Sequence, residues 1–268
     1  MTNILRCPVC GEKLSLTSNS LLCPARHSFD IAKEGYVNFL GGSRPGTNRG
    51  DSREMALSRR AFLNRGYYLP LADAVGKLLE ENVPCGNVLD ICCGEGFYTQ
   101  ALAERLPNLN FYGFDISREM VRLAAKRKSS AKFFVANLAS IPVGDSCVQA
   151  AVHLFAPFNA EEFSRILAPD GVLLSVIPGK DHLMGLKKVL YDVPYENDEG
   201  EPNTGDLSVT QRVRVKSEIE LTSPEDIFAL FQMTPYYFKT GIAATEKLKA
   251  LESLKTEIEF IVLVCKKA

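Results

Sequence analysis

The chain has 268 residues, 46% of them hydrophobic, and a formal net charge of −1. That length suits one medium domain plus a small accessory module, with enough apolar material for a full core. No apolar run approaches the roughly 18 residues of a spanning helix, and Met1–Arg6 lacks the basic start and apolar stretch of a secretory leader, so a cytoplasmic protein with no membrane partner is expected.

Charge is unevenly placed. Residues 1–66 hold ten Lys/Arg against five Asp/Glu, and the remainder is net acidic. A basic front suits a phosphate-rich partner and reads equally well as a solvated basic face. Cys7-Pro8-Val9-Cys10 is followed by Cys23-Pro24-Ala25-Arg26-His27. Two tight pairs of soft ligands, each on a turn, can close a tetrahedron around Zn²⁺. The short gap within each pair brings both of its ligand atoms to one ion, and Gly11 tolerates the positive φ such a turn needs. Lys13–Leu16 and Leu21–Leu22 predict the two strands of a hairpin. A segment of 40 residues is too small for an adequate core, so a metal staple is expected. Four protein ligands leave no open position, so Cys7, Cys10, Cys23 and His27 predict a structural zinc in a recognition module spanning residues 1–40.

Residues 41–50 are rich in Gly, Pro and Ser and read as a linker. Asp51 or Ser52 can cap a helix running to about Asn64. Its Arg53, Arg59, Arg60 and Arg65 are placed to grip phosphates or to form a solvated face. Linker and basic helix together span residues 41–66.

From residue 67 to 268, short apolar runs alternate with helical patterns. Strands are expected at Asn87–Ile91, Phe111–Asp115, Lys132–Ala136, Val148–Phe155 and Gly171–Ile177, and helices at Thr99–Leu106, Ser117–Lys128 and Ala160–Leu167. This alternation predicts an α/β fold, a mostly parallel Rossmann-like sheet covered on both faces. Gln211–Leu221 and Glu257–Cys265, with a helix at Pro224–Phe231, can complete it with an antiparallel strand.

Ligands of open parallel sheets bind beyond the carboxyl ends of the strands. The first such end reads Asp90-Ile91-Cys92-Cys93-Gly94-Glu95-Gly96 before a helix. Gly94 and Gly96 allow close backbone approach. The next strand ends in Asp115, a carboxylate placed to accept ribose hydroxyls. The third ends in Ala136-Asn137, with Asn137 placed beside an adenine. Together they predict a nucleoside cofactor. A dinucleotide fold uses three glycines to seat a pyrophosphate; the acid Asp90 before this turn instead suits the cationic sulfonium and amino group of S-adenosylmethionine.

The chain resembles the bacterial 23S rRNA (guanine-N1)-methyltransferases. The match rests on the zinc motif with His27-Ser28-Phe29-Asp30, on Ala32-Lys33-Glu34-Gly35-Tyr36-Val37-Asn38, on Gly50-Asp51-Ser52 leading to Arg59-Arg60-Ala61-Phe62-Leu63, and on Leu89–Thr99. Ala156-Pro157, Pro178-Gly179-Lys180-Asp181-His182-Leu183 and Gln232-Met233-Thr234-Pro235 also fit. The resemblance implies a class I methyltransferase domain, a structural zinc, and S-adenosylmethionine contacts at Tyr68, Phe97, Tyr98 and His182. It further implies a 23S rRNA hairpin as substrate and a homodimer. Cys92 stands where the family places its first loop glycine, which puts the loop geometry in question.

Methyl transfer to guanine N1 requires the base to leave its stack and N1 to lose its proton. The segment His153–Phe158 ends a strand where methyltransferases hold their target. Phe155, Pro157 and Phe158 are therefore candidates for the base pocket, or else core residues, and no general base is evident. A small-molecule methyltransferase leaves the zinc module unexplained. A catalytically idle RNA-binding protein that keeps the fold is the other alternative.

Overall fold

The computed structural model describes residues 4–41 and 53–267; the predicted linker from 42 onward and the candidate caps Asp51 and Ser52 lie outside them. The zinc module is a three-stranded antiparallel sheet of β1 (Ser15–Leu16), β2 (Ser20–Leu22) and β3 (Ser28–Asp30). The first two strands form the expected hairpin, with Ser15 opposite Leu22. β3, adjoining His27, is additional.

Ala32–Asn38 then makes a tight reversal. Gly35 has φ +92, its N–H donates to the Ala32 carbonyl, and the Ala32 N–H donates to the Tyr36 carbonyl. The reversal delivers β4 (Val37–Asn38) onto the main sheet. Ile4, Leu5, Leu14, Leu21 and Val37 share one buried cluster with Leu89, Ile91 and Phe134, so the first forty residues pack as part of the main body rather than as a tethered bead. Apolar residues too few for a core of their own complete one with the neighbouring domain.

α1 (Arg53–Asn64) and α2 (Leu69–Asn82) follow. The α/β alternation then runs β5 (Gly86–Ile91), α3 (Phe97–Arg105), β6 (Leu109–Asp115), α4 (Arg118–Ala125), β7 (Lys132–Val135), β8 (Val148–Leu154), α5 (Ala160–Ile166) and β9 (Leu167–Pro178). α6 (Met184–Leu190), β10 (Leu207–Leu221), α7 (Pro224–Gln232), a 3₁₀ turn at Pro235–Phe238, α8 (Ile242–Lys249) and β11 (Leu254–Lys267) complete the chain. The helix starts are chemically explicit. Ser117, Asn159 and Ser223 cap α4, α5 and α7 by accepting a backbone N–H.

The eight-stranded sheet has the order β10-β11-β9-β8-β5-β6-β7-β4. β4 through β9 run parallel to one another, and β11 runs antiparallel to both β9 and β10. The central strands are covered on both faces and read as continuous apolar runs. The switch point lies between β5 and β8, whose carboxyl ends open toward α1.

A buried ion pair fixes α1 there. Arg127 donates through Nε to Glu95 Oε2 at 2.8 Å and to the Glu95 carbonyl at 2.9 Å, and it also bonds Gln100 Oε1 and Asn64 Oδ1 at the end of α1. Both side chains are almost wholly buried. Removing one partner strands the other as an uncompensated charge. Arg127→Met should cost about 3–5 kcal/mol in urea unfolding, and Arg127→Met combined with Glu95→Leu should recover most of it. Equal losses in the single and double variants would show that the pair is not the cause.

Candidate functional site

The four predicted zinc ligands converge. The ligand atoms of Cys7, Cys10, Cys23 and His27 lie within 4.8 Å of one another. Cys10 Sγ is 3.6 Å from Cys23 Sγ, and His27 Nδ1 is 3.5 Å from Cys7 Sγ and 3.3 Å from Cys23 Sγ. Zn–S bonds of about 2.3 Å in a tetrahedron place sulfurs about 3.7 Å apart, so the cluster fits the ion. Gly11 (φ +73) donates its N–H to the Cys7 carbonyl, closing the first knuckle, and the His27 N–H donates to Cys23 Sγ.

At the carboxyl ends of β5, β6 and β8 lies a cavity of about 280 Å³, lined by Asp90, Gly94, Phe97, Tyr98, Asp115, Phe155 and Pro157 among others. Asp90 is 1% exposed. Its Oδ2 accepts from Thr99 Oγ1 at 2.5 Å, and its Oδ1 has no hydrogen-bond partner among the described residues. Burial pushes its carboxyl up to about 7, against the Thr99 hydrogen bond and aided by the charge of Asp115. Asp115 is held by the backbone N–H groups of Gly94 and Ser117, at 3.0 and 2.8 Å. The two glycines serve different ends. A Cβ on Gly94 would point into open space, whereas one on Gly96 (φ +82) would sit 2.8 Å from Ala124 Cβ. Gly94 keeps the cavity floor bare, and Gly96 lets α3 start against α4. Cys92 adopts φ +55, the left-handed conformation glycine favours, with the side chain in place. Its thiol is pushed up to about 12 by burial and then by Asp115 and Asp90, so no thiolate nucleophile stands in the loop.

A second cavity, of about 610 Å³, adjoins the first and shares Arg59 and Phe155 with it. Tyr68, His182, Tyr195, Gln232, Tyr236 and Phe238 also line it. α1 roofs both spaces. Met55 faces the second cavity, Arg59 both and Leu63 the first, a spacing of four residues that puts all three on one helix face. His182 Nδ1 accepts the backbone N–H of Glu259 at 3.2 Å. Burial, then the charge of Lys187, holds its pKa down to about 3. The imidazole is therefore neutral, with its proton assigned to Nε2 by that hydrogen bond. Phe155 sits at φ +57, a strained conformation of the kind that gathers at functional sites. His153 secures the turn after it, bonding Ser175 Oγ and the Pro157 carbonyl.

Residues 5–42 match the family model described as RlmA, N-terminal, and residues 88–171 match a methyltransferase-domain model. The 23S rRNA (guanine(748)-N(1))-methyltransferase of Streptomyces fradiae is 35% identical over 190 residues, 69% of this chain and 67% of its own. A relative in Micromonospora griseorubida with the provisional name 23S rRNA (guanine-N(1)-)-methyltransferase is 37% identical over 202 residues, 68% of each chain. This chain belongs to the 23S rRNA (guanine-N1)-methyltransferase family. A Bacillus subtilis relative, YxjB, also provisionally so named, extends the match to 98% of this chain at 28% identity. Trans-aconitate 2-methyltransferases match a smaller part, 39% of the chain for one from Rhodopseudomonas palustris. The chain is thus an S-adenosylmethionine-dependent methyltransferase with a zinc ribbon.

Not every expected residue of this methyltransferase reaches the site. Asn137 does not line either cavity. Its Oδ1 turns back to accept the Ala139 N–H at 3.0 Å, as Asn does in tight turns. Phe158, half-buried, packs edge-on against Phe163 and His153 and lines neither cavity. Tyr68 and His182 line the second cavity instead of the first. Of the arginines expected to grip phosphates, Arg60 donates to the Leu123 carbonyl, and Arg65, just past the end of α1, pairs with Asp226. Sequence reasoning grouped Arg59 with them as a phosphate grip and missed Tyr195, Gln232 and Phe238. The four-residue spacing of Met55, Arg59 and Leu63 was the available signal for α1.

Two measurements test these centres. Cobalt-substituted protein should carry one ion per chain and show the d–d and thiolate charge-transfer bands of a tetrahedral three-sulfur, one-nitrogen site, with Cys10→Ser weakening the latter. A pink octahedral spectrum would contradict this assignment. For Asp90, the unfolded carboxyl titrates near 4 and the folded one near 7. Between those values the folded state keeps a proton that the unfolded chain has lost, so stability falls as pH rises through this window. Asp90→Asn should therefore stabilise the cofactor-free protein at pH 8 by up to about 4 kcal/mol. The gain should fade toward pH 4. A gain independent of pH in urea unfolding would show that Asp90 ionisation is not its source.

Proposed function

We propose that this enzyme methylates N1 of a guanine in a hairpin loop of 23S rRNA, with the cofactor in the first cavity and the extruded base in the second. The observation that carries this reading is the shared wall: two cavities under one helix, meeting at Phe155 and Arg59. The names of the relatives support the substrate.

S-adenosylmethionine supplies an electrophilic methyl group on a sulfonium. The residues present suit it. Asp90 offers a buried carboxylate oxygen that lacks a partner among the described residues, a good seat for a cationic group once ionised. Asp115 and the bare Gly94 surface suit a ribose, and Phe97 with Tyr98 supplies aromatic surface, Tyr98 with a buried hydroxyl that has no partner among the described residues. Tyr68 and His182 stand on the far side of the shared wall, where the reacting end of the cofactor meets the base.

The second cavity suits an unstacked base, with aromatic rings at Phe155, Tyr195, Tyr236 and Phe238. Among the described residues no carboxylate lines it, and His182 is too weak a base to hold the N1 proton. Arg59 and Lys239 instead offer positive charge to O6 as N1 gives up its proton to solvent. Lys13, Arg26 and Lys33 on the zinc module are exposed and available to RNA phosphates.

Mass mapping of 23S rRNA should find 1-methylguanine in the wild-type strain and lose it on deletion of the gene. In vitro, Arg59→Met should lower kcat on the hairpin by about 10²–10³-fold. Methylation of a metabolite panel with none of the hairpin would refute the reading.

A further inference from the structure

The Gln232-Met233-Thr234-Pro235 block lies outside the cofactor loop and the zinc module, yet it forms one wall of the second cavity. Its backbone explains how. Thr234 Oγ1 donates to the Phe231 carbonyl at 2.8 Å, ending α7, and Pro235 starts the 3₁₀ turn. Gln232, the last residue of α7, is left at the cavity wall, 6% exposed.

The polar side chains of this wall differ in what they have left to give. Asn197 is spent: its Oδ1 accepts from Lys187 Nζ at 2.7 Å, and its Nδ2 donates to the carbonyls of Gly179 and His182. Thr234 is used in the cap. The Gln232 carboxamide has no hydrogen-bond partner among the described residues. Gln232 as a residue is buried, but its amide atoms are not among the buried polar atoms left without a partner, so the amide is reachable from the cavity and open to a ligand with complementary groups.

Given that the second cavity takes the guanine, as proposed above, we infer that Gln232 is a specificity-determining residue that reads the 2-amino edge of the base. A carboxamide offers one acceptor and one donor side by side. The guanine 2-amino group and N3 present the matching donor and acceptor. Pairing on that edge leaves N1 open to methylation, whereas pairing on O6 and N1–H would block the reacting atom. The O6 and N7 pair presents two acceptors and does not match a single amide.

The test compares two synthetic hairpins that differ in one atom group, guanosine or inosine at the target, the latter lacking the 2-amino group. Wild-type enzyme should prefer guanosine by about 10- to 100-fold in kcat/KM, the cost of leaving a buried polar group unsatisfied. Gln232→Met, close in shape but without the amide, should bring the guanosine rate down to the inosine rate. The ratio does not depend on how much of the variant folds, and calorimetric titration with S-adenosylmethionine checks that the cofactor site survives. Gln232→Glu, which keeps the acceptor and loses the donor, should retain part of the preference. A Gln232→Met enzyme with the wild-type ratio, or a wild-type enzyme indifferent to the 2-amino group, overturns the inference while leaving guanine methylation intact. Failure of the wild-type enzyme on both hairpins would instead remove the functional reading, and this inference with it.

Discussion

The Glu95–Arg127 pair is the constraint on which the site rests. A carboxylate in the cofactor loop and a guanidinium after α4 are both withdrawn from water, which is costly unless each satisfies the other. The same guanidinium reaches Gln100 on α3 and Asn64 at the end of α1. One buried cation thereby fixes three pieces of chain to one another. Phe62 and Leu63 sink the apolar face of α1 into the core, and the cation fixes its end. So held, α1 lies over the carboxyl ends of the strands and turns Met55, Arg59 and Leu63 into a common roof.

The two cavities beneath that roof differ in their linings. The first is acidic at depth, with Asp90 and Asp115, and has a bare glycine surface. The second has aromatic walls and, among the described residues, two cations and no carboxylate. On the proposed reading, a cationic cofactor and a base that must develop negative charge take these opposite surroundings. Phe155, held in a strained conformation by its turn, separates them. Its exposed ring lines both cavities, whereas Phe158, three residues on, packs against Phe163 and lines neither.

Much of this was legible in the sequence because the signals were local. The Cys/His spacing named the zinc ligands. The apolar runs located the central strands to within a few residues, and the acid-glycine pattern located the loop that lines the first cavity. What escaped depended on distance. Asn137 stands at a strand end, as Asp90 and Asp115 effectively do, and only its turn geometry diverts it from the cavity. Arg59 and Arg60 are adjacent in sequence, but a helix sends them to different faces, one to the cavities and one to Leu123. The role of Gln232 depends on a helix end some 170 residues from α1, a meeting that no periodicity announces. Ala32–Asn38 was visible as a block, yet its work, a reversal that lays β4 beside β7, appears only when the sheet edge is seen.

That edge strand ties metal supply to the life of the enzyme. Because the zinc ribbon shares its buried residues with the central sheet, an ion that binds only the ordered ribbon draws the whole fold toward the native state by mass action. The metal thus acts as a ligand of the fold although it stands apart from the chemistry. A cell short of zinc would lose this activity through turnover of partly opened chains, with the catalytic cavities themselves unchanged.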